Sequence, residues 1–221
     1  MLRSPGMVAG WMMEGLNSSS KIPDISGNNY HLTPTGVTFP DSTFGKCMYV
    51  GGAANGTVTA AGVVLSALTY CFWYYGGPNS AQQRMINCAW ASAPYTGNMT
   101  SVHLAAASAA YGSQPANTIG LFDYSSANCL YATWNAAWTN KWTHFTFTRT
   151  AAGYIIMYVN AVPYVSGTKT VYLGTVTNIN IGCGSVGYYG CYGYFDGVYI
   201  FNKALDVQNI KRIMCGLHAL N

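Results

Sequence analysis

The stretch at residues 193–213 most constrains the fold, because a β-rich segment passes directly into a short helical pattern there. Residues 194–201 are mostly aromatic or β-branched, as in a strand, around an Asp-Gly pair. Beyond them, Leu205, Ile210 and Ile213 fall close to one helical face. The sequence therefore predicts a closing strand followed by one short helix.

The rest of the chain is made of short strand-like segments separated by Gly, Asn, Ser and Pro turns. Residues 68–75 are aromatic and β-branched and end at a Gly-Gly-Pro turn, which predicts a central strand. Residues 141–149 alternate with a period of two, and residues 153–160 follow a two-residue turn to complete a hairpin. The alternation places Trp142, His144, Thr146 and Thr148 on one face and Phe145 and Phe147 on the other. The pattern predicts an all-β chain.

Several of these segments resemble landmarks of the laminin-G/concanavalin A-like lectin superfamily. Residues 24–32 resemble its first loop, Asp-x-Ser-Gly-Asn, and residues 141–149 resemble its Trp-x-His strand. Residues 195–205 are similar to the family's last strand, with Gly197 in place of a second aspartate. The matches occur in the family's order over roughly residues 10–213.

The resemblance implies a fold that is all-β: a two-sheet antiparallel jelly-roll sandwich of about a dozen strands, with one short C-terminal helix. In that family the strand at residues 153–160 is followed by glycine, whereas this chain has Ala161. We expect a single domain over residues 1–221, because no repeat or linker interrupts the pattern and sandwiches of this length are routinely one unit.

Charged residues make up only 7% of the chain, against about 25% in an average soluble protein. The surface must therefore be built from Ser, Thr, Asn, Gly, Ala and Tyr, which suits neutral ligands or packing against neighbours. The ten basic residues are scattered, without the basic stripe of a nucleic-acid-binding protein. No apolar stretch reaches the roughly 20 residues of a membrane span. We therefore expect neither nucleic-acid binding nor membrane insertion.

Seven cysteines occur without a Cys-x-x-Cys pair, which predicts free, mostly buried thiols made in a reducing compartment. A bridge between Cys183 and Cys191 across a hairpin is the alternative. Pro5, Gly6 and Glu14 interrupt the apolar residues at the N-terminus, so we expect synthesis in the cytoplasm without a signal peptide.

The acidic residues argue against an enzyme. Glycoside hydrolysis needs two carboxyl groups that flank the scissile bond, and enzymes on this fold resemble one another in a strand such as Glu-x-Asp-x-Glu. The chain has six acids, never two residues apart: Glu14, Asp24, Asp41, Asp123, Asp196 and Asp206. No Gly-x-Ser-x-Gly nucleophile elbow occurs either. We expect no catalytic residues, and we interpret His144 as a hydrogen-bonded, half-buried structural histidine.

Calcium is the metal that the resemblance implies, held by carboxylates and carbonyl oxygens near the loops. Asp24 and Asp196 match positions that take part, although Gly197 removes a further carboxylate. The alternative for Asp24 is a structural role, capping the Ser-Gly-Asn turn. We expect no required cofactor, with Ca²⁺ as the candidate metal.

Glycan binding needs exposed aromatic platforms beside amide or hydroxyl groups, because sugars stack their C–H faces on rings. Residues 187–194 interleave tyrosines with glycines and are the least like a core strand, whereas Trp73 and Trp142 fit the core better. The candidate platforms, for glycans or for partner proteins, are Trp90, Tyr95, Tyr124, Trp134, Trp138, Tyr188, Tyr189 and Tyr192.

Two functions follow from these features. The first is a non-enzymatic structural or display protein on a virion surface, as a phage capsid decoration or tail-associated protein. Its partners would be other structural proteins, copies of itself and cell-surface glycans. Free thiols and a nearly uncharged surface suit assembly in the cytoplasm, and the lectin-like fold suits work outside cells. The alternative is a secreted, extracellular carbohydrate-binding lectin module.

Overall fold

In the computed structural model, the described residues are 5–52, 54–79, 83–89, 99–105, 115–123, 129–169, 173–183 and 189–216. The strands within them are β1 Met7–Trp11, β2 Thr33–Thr35, β3 Asp41–Ser42, β4 Gly45–Lys46, β5 Met48–Gly51, β6 Asn55–Val64, β7 Leu68–Gly76, β8 Gln83–Ala89, β9 Met99–Leu104, β10 Thr118–Asp123, β11 Leu130–Thr133, β12 Thr143–Arg149, β13 Tyr154–Val159, β14 Val162–Thr168, β15 Thr175–Ile181 and β16 Tyr192–Phe201. A 3₁₀ turn occupies Ala136–Trp138, and the helix α1 spans Val207–Met214.

The strands form two antiparallel sheets of seven strands each and one small hairpin. Sheet A has the order β1-β16-β7-β12-β13-β14, and β5 pairs with the part of β16 that β1 does not reach. Sheet B has the order β11-β10-β9-β8-β15-β6-β2, and β3 pairs with β4. The predicted all-β, two-sheet antiparallel sandwich is confirmed.

The two sheets face each other across an apolar core. Alternation along β7 turns Phe72 and Tyr74 into this core, where both are almost fully buried. Phe145 on β12 packs against Phe72, with ring centroids 5.9 Å apart. Burial of each such side chain contributes about 1.5–3 kcal/mol to folding. Trp73 and Tyr75 alternate with these residues on β7, lie on the outer face of sheet A and are half-buried.

Helix α1 packs on the outer face of sheet A. Asp206 caps it, because its side chain accepts a hydrogen bond from the Asn209 N–H at 2.9 Å. Ile210 and Ile213 are buried with Leu205 in a second apolar cluster, which includes outward-facing residues of β7 and β16. The predicted single apolar face of the helix is confirmed. No helix in the described part of the chain is long and apolar enough to cross a bilayer.

Two departures from the family's sequence pattern fall where the backbone is left-handed. Asn160 and Ala161 have φ of 50° and 60° in the two-residue turn between β13 and β14, as a type I′ hairpin turn requires. Ala161 therefore replaces glycine at a small steric cost. Gly197 has φ of 50°, in an irregularity of β16 between Asp196 and Tyr199, so glycine fits the backbone there better than a second aspartate would.

None of the seven cysteines forms a disulfide bond, and all except Cys215 are buried. The predicted free thiols are present, and the alternative bridge between Cys183 and Cys191 is not formed. Burial raises the pKa of the Cys71, Cys88 and Cys191 thiols to about 12. These thiols therefore stay protonated and unreactive in the folded protein.

We expect Ellman's reagent to titrate one thiol in the folded protein and seven after unfolding, because Cys215 alone is exposed. The measurement is the absorbance time course with and without denaturant. In a Cys215→Ser variant the fast phase should vanish. Two or more fast thiols in the native protein would contradict the burial pattern.

Candidate functional site

Two rows of side chains cross the outer face of sheet A. In the first, Tyr194 on β16 is paired in register with Tyr75 on β7, and the Trp142 ring lies 5.8 Å from that of Tyr75. In the second, Asp196 is paired with Trp73, which is itself paired with His144 on β12. Because side chains on adjacent strands lie directly opposite each other, the members of each row are direct neighbours.

Phe44 joins the two rows. The turn between β3 and β4 places its ring 4.9 Å from Trp73 and 5.7 Å from Trp142. The Phe44 N–H donates to Ser42 Oγ at 3.1 Å, and Gly45 adopts the left-handed φ of 112° that closes the turn. The short β3–β4 hairpin therefore holds a ring that is 46% exposed over the sheet.

Together these rings form a connected surface, which we call the aromatic strip: Tyr49, Tyr194, Tyr75, Trp142, Phe44 and Trp73. Its remaining contacts are Tyr49 with Tyr194 at 4.9 Å and Tyr75 with Tyr194 at 5.6 Å. Phe44 is exposed and the other five side chains are half-buried, so the ring faces are partly open to solvent. α1 covers a neighbouring part of the same face and leaves the strip uncovered.

Two hollows flank the strip and bring polar groups to its rings. The first hollow, about 450 Å³, lies between Tyr75, Trp142 and Tyr194, with Asp41, Ser42 and Thr43 on its wall. The second hollow, about 340 Å³, shares Tyr75 and Tyr194 and adds polar side chains and a proline: Tyr49, Tyr192, Thr139, Asn140 and Pro78. Ring faces beside hydroxyl, amide and carboxylate groups can stack on a sugar and hydrogen-bond to its hydroxyls.

A third hollow, about 310 Å³, lies between the strip and α1. Its lining includes Phe44, Trp73, Tyr199 and Asp196. The Asp196 side chain is only 4% exposed and accepts a hydrogen bond from the Gly197 N–H at 2.7 Å. Burial, with a contribution from Glu14, raises the pKa of Asp196 to about 7 despite this hydrogen bond.

His144 lies beneath the strip, with its ring 5.2 Å from that of Trp73 in an edge-on arrangement. It is fully buried, and neither ring nitrogen has a hydrogen-bond partner in the described structure. The expectation of a half-buried, hydrogen-bonded histidine is therefore wrong. Burial lowers the pKa of His144 to about 3, so the ring is neutral and unsuited to act as a base near neutral pH.

The predicted platform residues have different outcomes. Tyr192 is 48% exposed and lines the second hollow. Tyr189 is exposed, but its ring lies beside Arg84 at 4.7 Å, on β8 of sheet B. The prediction that Trp134 and Trp138 are exposed platforms is wrong, because both are buried core residues packed on Phe145. The other four candidates lie outside the described residues: Trp90, Tyr95, Tyr124 and Tyr188.

Sequence reasoning missed most of the aromatic strip. Trp73 and Trp142 were expected in the core, yet both are half-buried on the outer face. Along β7 the inward and outward residues are equally aromatic, so hydropathy does not distinguish the two faces. The available signal was the strict alternation of residues 141–149, which already placed Trp142 opposite Phe145 and Phe147.

Asp24 has a structural role that uses its whole carboxylate. Oδ1 accepts from the N–H groups of Gly10 and Ser26, and Oδ2 accepts from Ser26 Oγ and the Tyr30 N–H. These four bonds, 2.7–3.0 Å long, occupy the lone pairs that a cation would need. The turn-capping alternative from the sequence is therefore the one that the contacts support.

The described residues do not fit a calcium site. They contain no group of three His, Cys, Asp or Glu side chains that could hold a metal ion. Ca²⁺ usually takes six to eight oxygen ligands and more than one carboxylate. Asp196 offers one carboxylate in a hollow walled mainly by carbon and sulfur atoms, and Asp24 is already fully hydrogen-bonded.

The outer face of sheet B carries a row of polar side chains instead of aromatic ones. Asn180, Asn87 and Ser101 are in register on β15, β8 and β9, and all three are buried. The side-chain amide of Asn87 and the hydroxyl of Ser101 have no hydrogen-bond partner in the described residues. Because this row is closed to solvent, the aromatic strip is the better candidate for binding a ligand.

Solved structures share this fold at low sequence identity. Domain 4 of AbnA, an extracellular arabinanase from Geobacillus stearothermophilus in complex with arabinotriose, is 17% identical with a TM-score of 0.68, covering 94% of this chain and 97% of that one. The botulinum neurotoxin type G receptor-binding domain is 13% identical with a TM-score of 0.67, covering 96% and 51%. The binding domain of botulinum neurotoxin DC, in complex with SialylT, is 14% identical with a TM-score of 0.66, covering 96% and 51%.

The chain spans about half the length of these toxin domains but nearly all of the arabinanase domain. A search of curated protein sequences finds no significant match. A family model, described as the concanavalin A-like lectin/glucanases superfamily, matches residues 50–211. The match covers most of the strands of both sheets together with the start of α1. The chain therefore belongs to the concanavalin A-like lectin/glucanase superfamily.

Proposed function

We propose that this protein is a non-enzymatic carbohydrate-binding domain and that the aromatic strip is its glycan-binding surface. The observation that carries the proposal is the connected row of half-exposed rings, with hydroxyl, amide and carboxylate groups in the two hollows beside it. Rings supply stacking surfaces for sugar C–H faces, and the polar groups supply direction and selectivity. The fold supports the same function, because its structural neighbours include domains solved with arabinotriose and SialylT.

The absence of catalysis is part of this proposal. A glycosidase needs a protonated acid and a second carboxylate about 5–9.5 Å away. Asp24 is bound by four protein donors. Asp41 has an exposed carboxylate paired with Lys46 at 3.2 Å. Asp196 has the raised pKa of a general acid but lies under Phe44 and Trp73 in the third hollow. Binding without hydrolysis is the chemistry that these groups support.

We expect alanine at Trp142 or Tyr75 to weaken glycan binding at least about tenfold, because truncating an aromatic anchor typically costs more than 1.4 kcal/mol. A glycan array, run with and without calcium, identifies the ligand, and calorimetry on the best glycan measures the affinities. Tyr131→Ala is the matched control, since Tyr131 is a 38% exposed tyrosine on β11 of sheet B.

Two results would contradict the proposal: no binding to any glycan on the array, or equal losses in the Trp142, Tyr75 and Tyr131 variants. Binding that requires calcium would contradict the poor fit of the described acidic residues to that metal. Retained binding after chelation is the expected result.

The second candidate function is a structural role in a large assembly. The protein would lie on the surface of a virion and display its glycan-binding surface there. The low share of charged residues favours this assembly role. So does β14, the edge strand of sheet A, because its Val162 and Tyr164 are 63% and 49% exposed. Exposed apolar residues on a terminal strand favour pairing with another chain. Lateral contacts of this kind would join the protein to copies of itself or to other structural proteins.

Sedimentation of native source material, with mass spectrometry following this chain, separates the two settings. Co-sedimentation with large particles supports an assembly component on a virion. A free monomer in the extracellular fraction supports a secreted lectin module instead and removes the assembly role.

A further inference from the structure

The third hollow differs in chemistry from the two hollows beside the strip. Three aromatic side chains contribute to its wall, together with four apolar or sulfur-containing ones: Phe44, Trp73 and Tyr199, and Met12, Ile213, Met214 and Cys215. The Tyr199 hydroxyl contacts Met12 Sδ at 2.8 Å, so it is engaged within the wall. The hollow thus offers ring faces and thioethers but few hydrogen-bond donors for a neutral sugar.

Negative charge is concentrated around this hollow. The chain has only six acidic residues against ten basic ones, yet Glu14 acts electrostatically on Asp196. Both carboxylates, together with Asp41, also act on the buried thiol of Cys47 and help to raise its pKa after burial itself. The nearby Lys46 ammonium pairs with Asp41 at 3.2 Å. None of the described residues that line the hollow is cationic.

A buried carboxylate beside several aromatic faces is the chemistry that recognises an organic cation. Ring faces attract a cation within about 6 Å, most strongly for Trp, and a carboxylate adds a charge-assisted contact. A bare divalent metal would find too few oxygen ligands here. The Asp196 carboxylate has one described hydrogen bond, from the Gly197 N–H, so it keeps acceptor capacity for a ligand.

We propose that the third hollow is a binding site for an alkylammonium group, which sits against Phe44, Trp73 and Tyr199 with Asp196 as its counter-charge. At about 310 Å³ the hollow has room for a trimethylammonium-sized group. The site goes beyond the proposed glycan surface, with which it shares Phe44 and Trp73. It does not involve Tyr75, Trp142 or Tyr194.

Choline and its neutral carbon isostere 3,3-dimethylbutan-1-ol are the probes, because they have the same shape and differ in charge. Titration of the native protein at pH 8, followed by calorimetry or NMR, should show choline binding at least about tenfold more tightly than the isostere. Asp196→Asn should weaken choline binding and reduce this preference to the smaller part that the ring faces supply. Asp206→Asn is the matched control, because Asp206 does not line the third hollow and asparagine caps a helix as well as aspartate does, and it should keep the preference.

The outcomes separate this site from the glycan surface. Trp142→Ala should lose glycan binding and keep choline binding. Asp196→Asn should weaken choline binding and keep glycan binding. Equal affinity for choline and the isostere, or a preference that Asp196→Asn leaves undiminished, would overturn the proposal whatever the glycan array shows. If Asp196→Asn does not fold, the comparison of choline with its isostere on the unmodified protein decides the question alone.

Discussion

Replacing Asp24 with alanine is expected to lower the free energy of unfolding by about 4 kcal/mol or more, because four donors lose their acceptor at once. The donors are the N–H groups of Gly10, Ser26 and Tyr30 and the hydroxyl of Ser26. An orphaned buried donor costs about 1–3 kcal/mol, and the costs of neighbouring donors are not additive. The expected loss in the free energy of unfolding therefore lies at the lower end of the sum for four donors.

The loss should spread from the loop to the sheet. Asp24 orients the loop that lies against β1, where Asn28 Nδ2 donates to the Val8 carbonyl at 2.9 Å. The Ile25 N–H also donates to the Gly10 carbonyl at 2.8 Å. Since β1 is the last strand on its side of sheet A, this loop covers an edge that would otherwise be open.

Urea unfolding at neutral pH measures the effect. Asp24→Asn should give an intermediate loss, because the amide keeps one acceptor oxygen and presents donors to Ser26 and Tyr30. Asp41→Ala is the control: its carboxylate is exposed and pairs with Lys46, so stability should hardly change. A loss below about 1 kcal/mol in Asp24→Ala would show that the loop does not depend on this carboxylate.

The fold could be predicted from the sequence because its signals are local and occur in a fixed order. The alternation along residues 141–149 lies within the single strand β12 and its flanking residues. The helical spacing of Leu205, Ile210 and Ile213 lies within α1 and the residues just before it. Each pattern also agrees with its neighbours. Consistency between local patterns and the overall fold is what allows a sequence to specify a structure.

The candidate site was less predictable because it depends on pairing between distant strands. Asp196, Trp73 and His144 become a row only when β16, β7 and β12 align, and no local pattern reports that register. Trp138 shows the converse error: it was predicted as an exposed platform, yet the 3₁₀ turn folds its ring onto Phe145. Composition around a ring therefore says little about which way the ring points.

Mild acid is expected to destabilise the protein through His144. Its pKa is about 3 in the folded state against about 6.5 in an unfolded chain, so the unfolded state takes up the proton first. The contribution of His144 to stability is fully present above pH 6.5 and is lost as the pH falls from there towards 3. At 1.36 kcal/mol per pH unit, the loss between pH 7 and pH 5 is about 2 kcal/mol.

His144→Leu isolates this contribution. Leucine is apolar and similar in size, and neither nitrogen of the His144 ring has a described hydrogen-bond partner to lose. The stability difference between His144→Leu and the unmodified protein should move by about 2 kcal/mol in favour of the variant between pH 7 and pH 5. Urea unfolding at several pH values, with residual structure checked by circular dichroism, provides the measurement.

Two other groups affect the total pH dependence but not this difference. Burial and Arg84 lower the pKa of His103, so it acts in the same direction as His144 and stays in both proteins. Asp196 acts in the opposite direction: its pKa is raised to about 7, so its contribution to stability is present at low pH and is lost as the pH rises from about 4 to 7.

A stability difference that stayed constant between pH 7 and pH 5 would mean that His144 is hydrated or protonated in the folded state. The aromatic strip would then lie over a polar pocket instead of a dry, neutral ring.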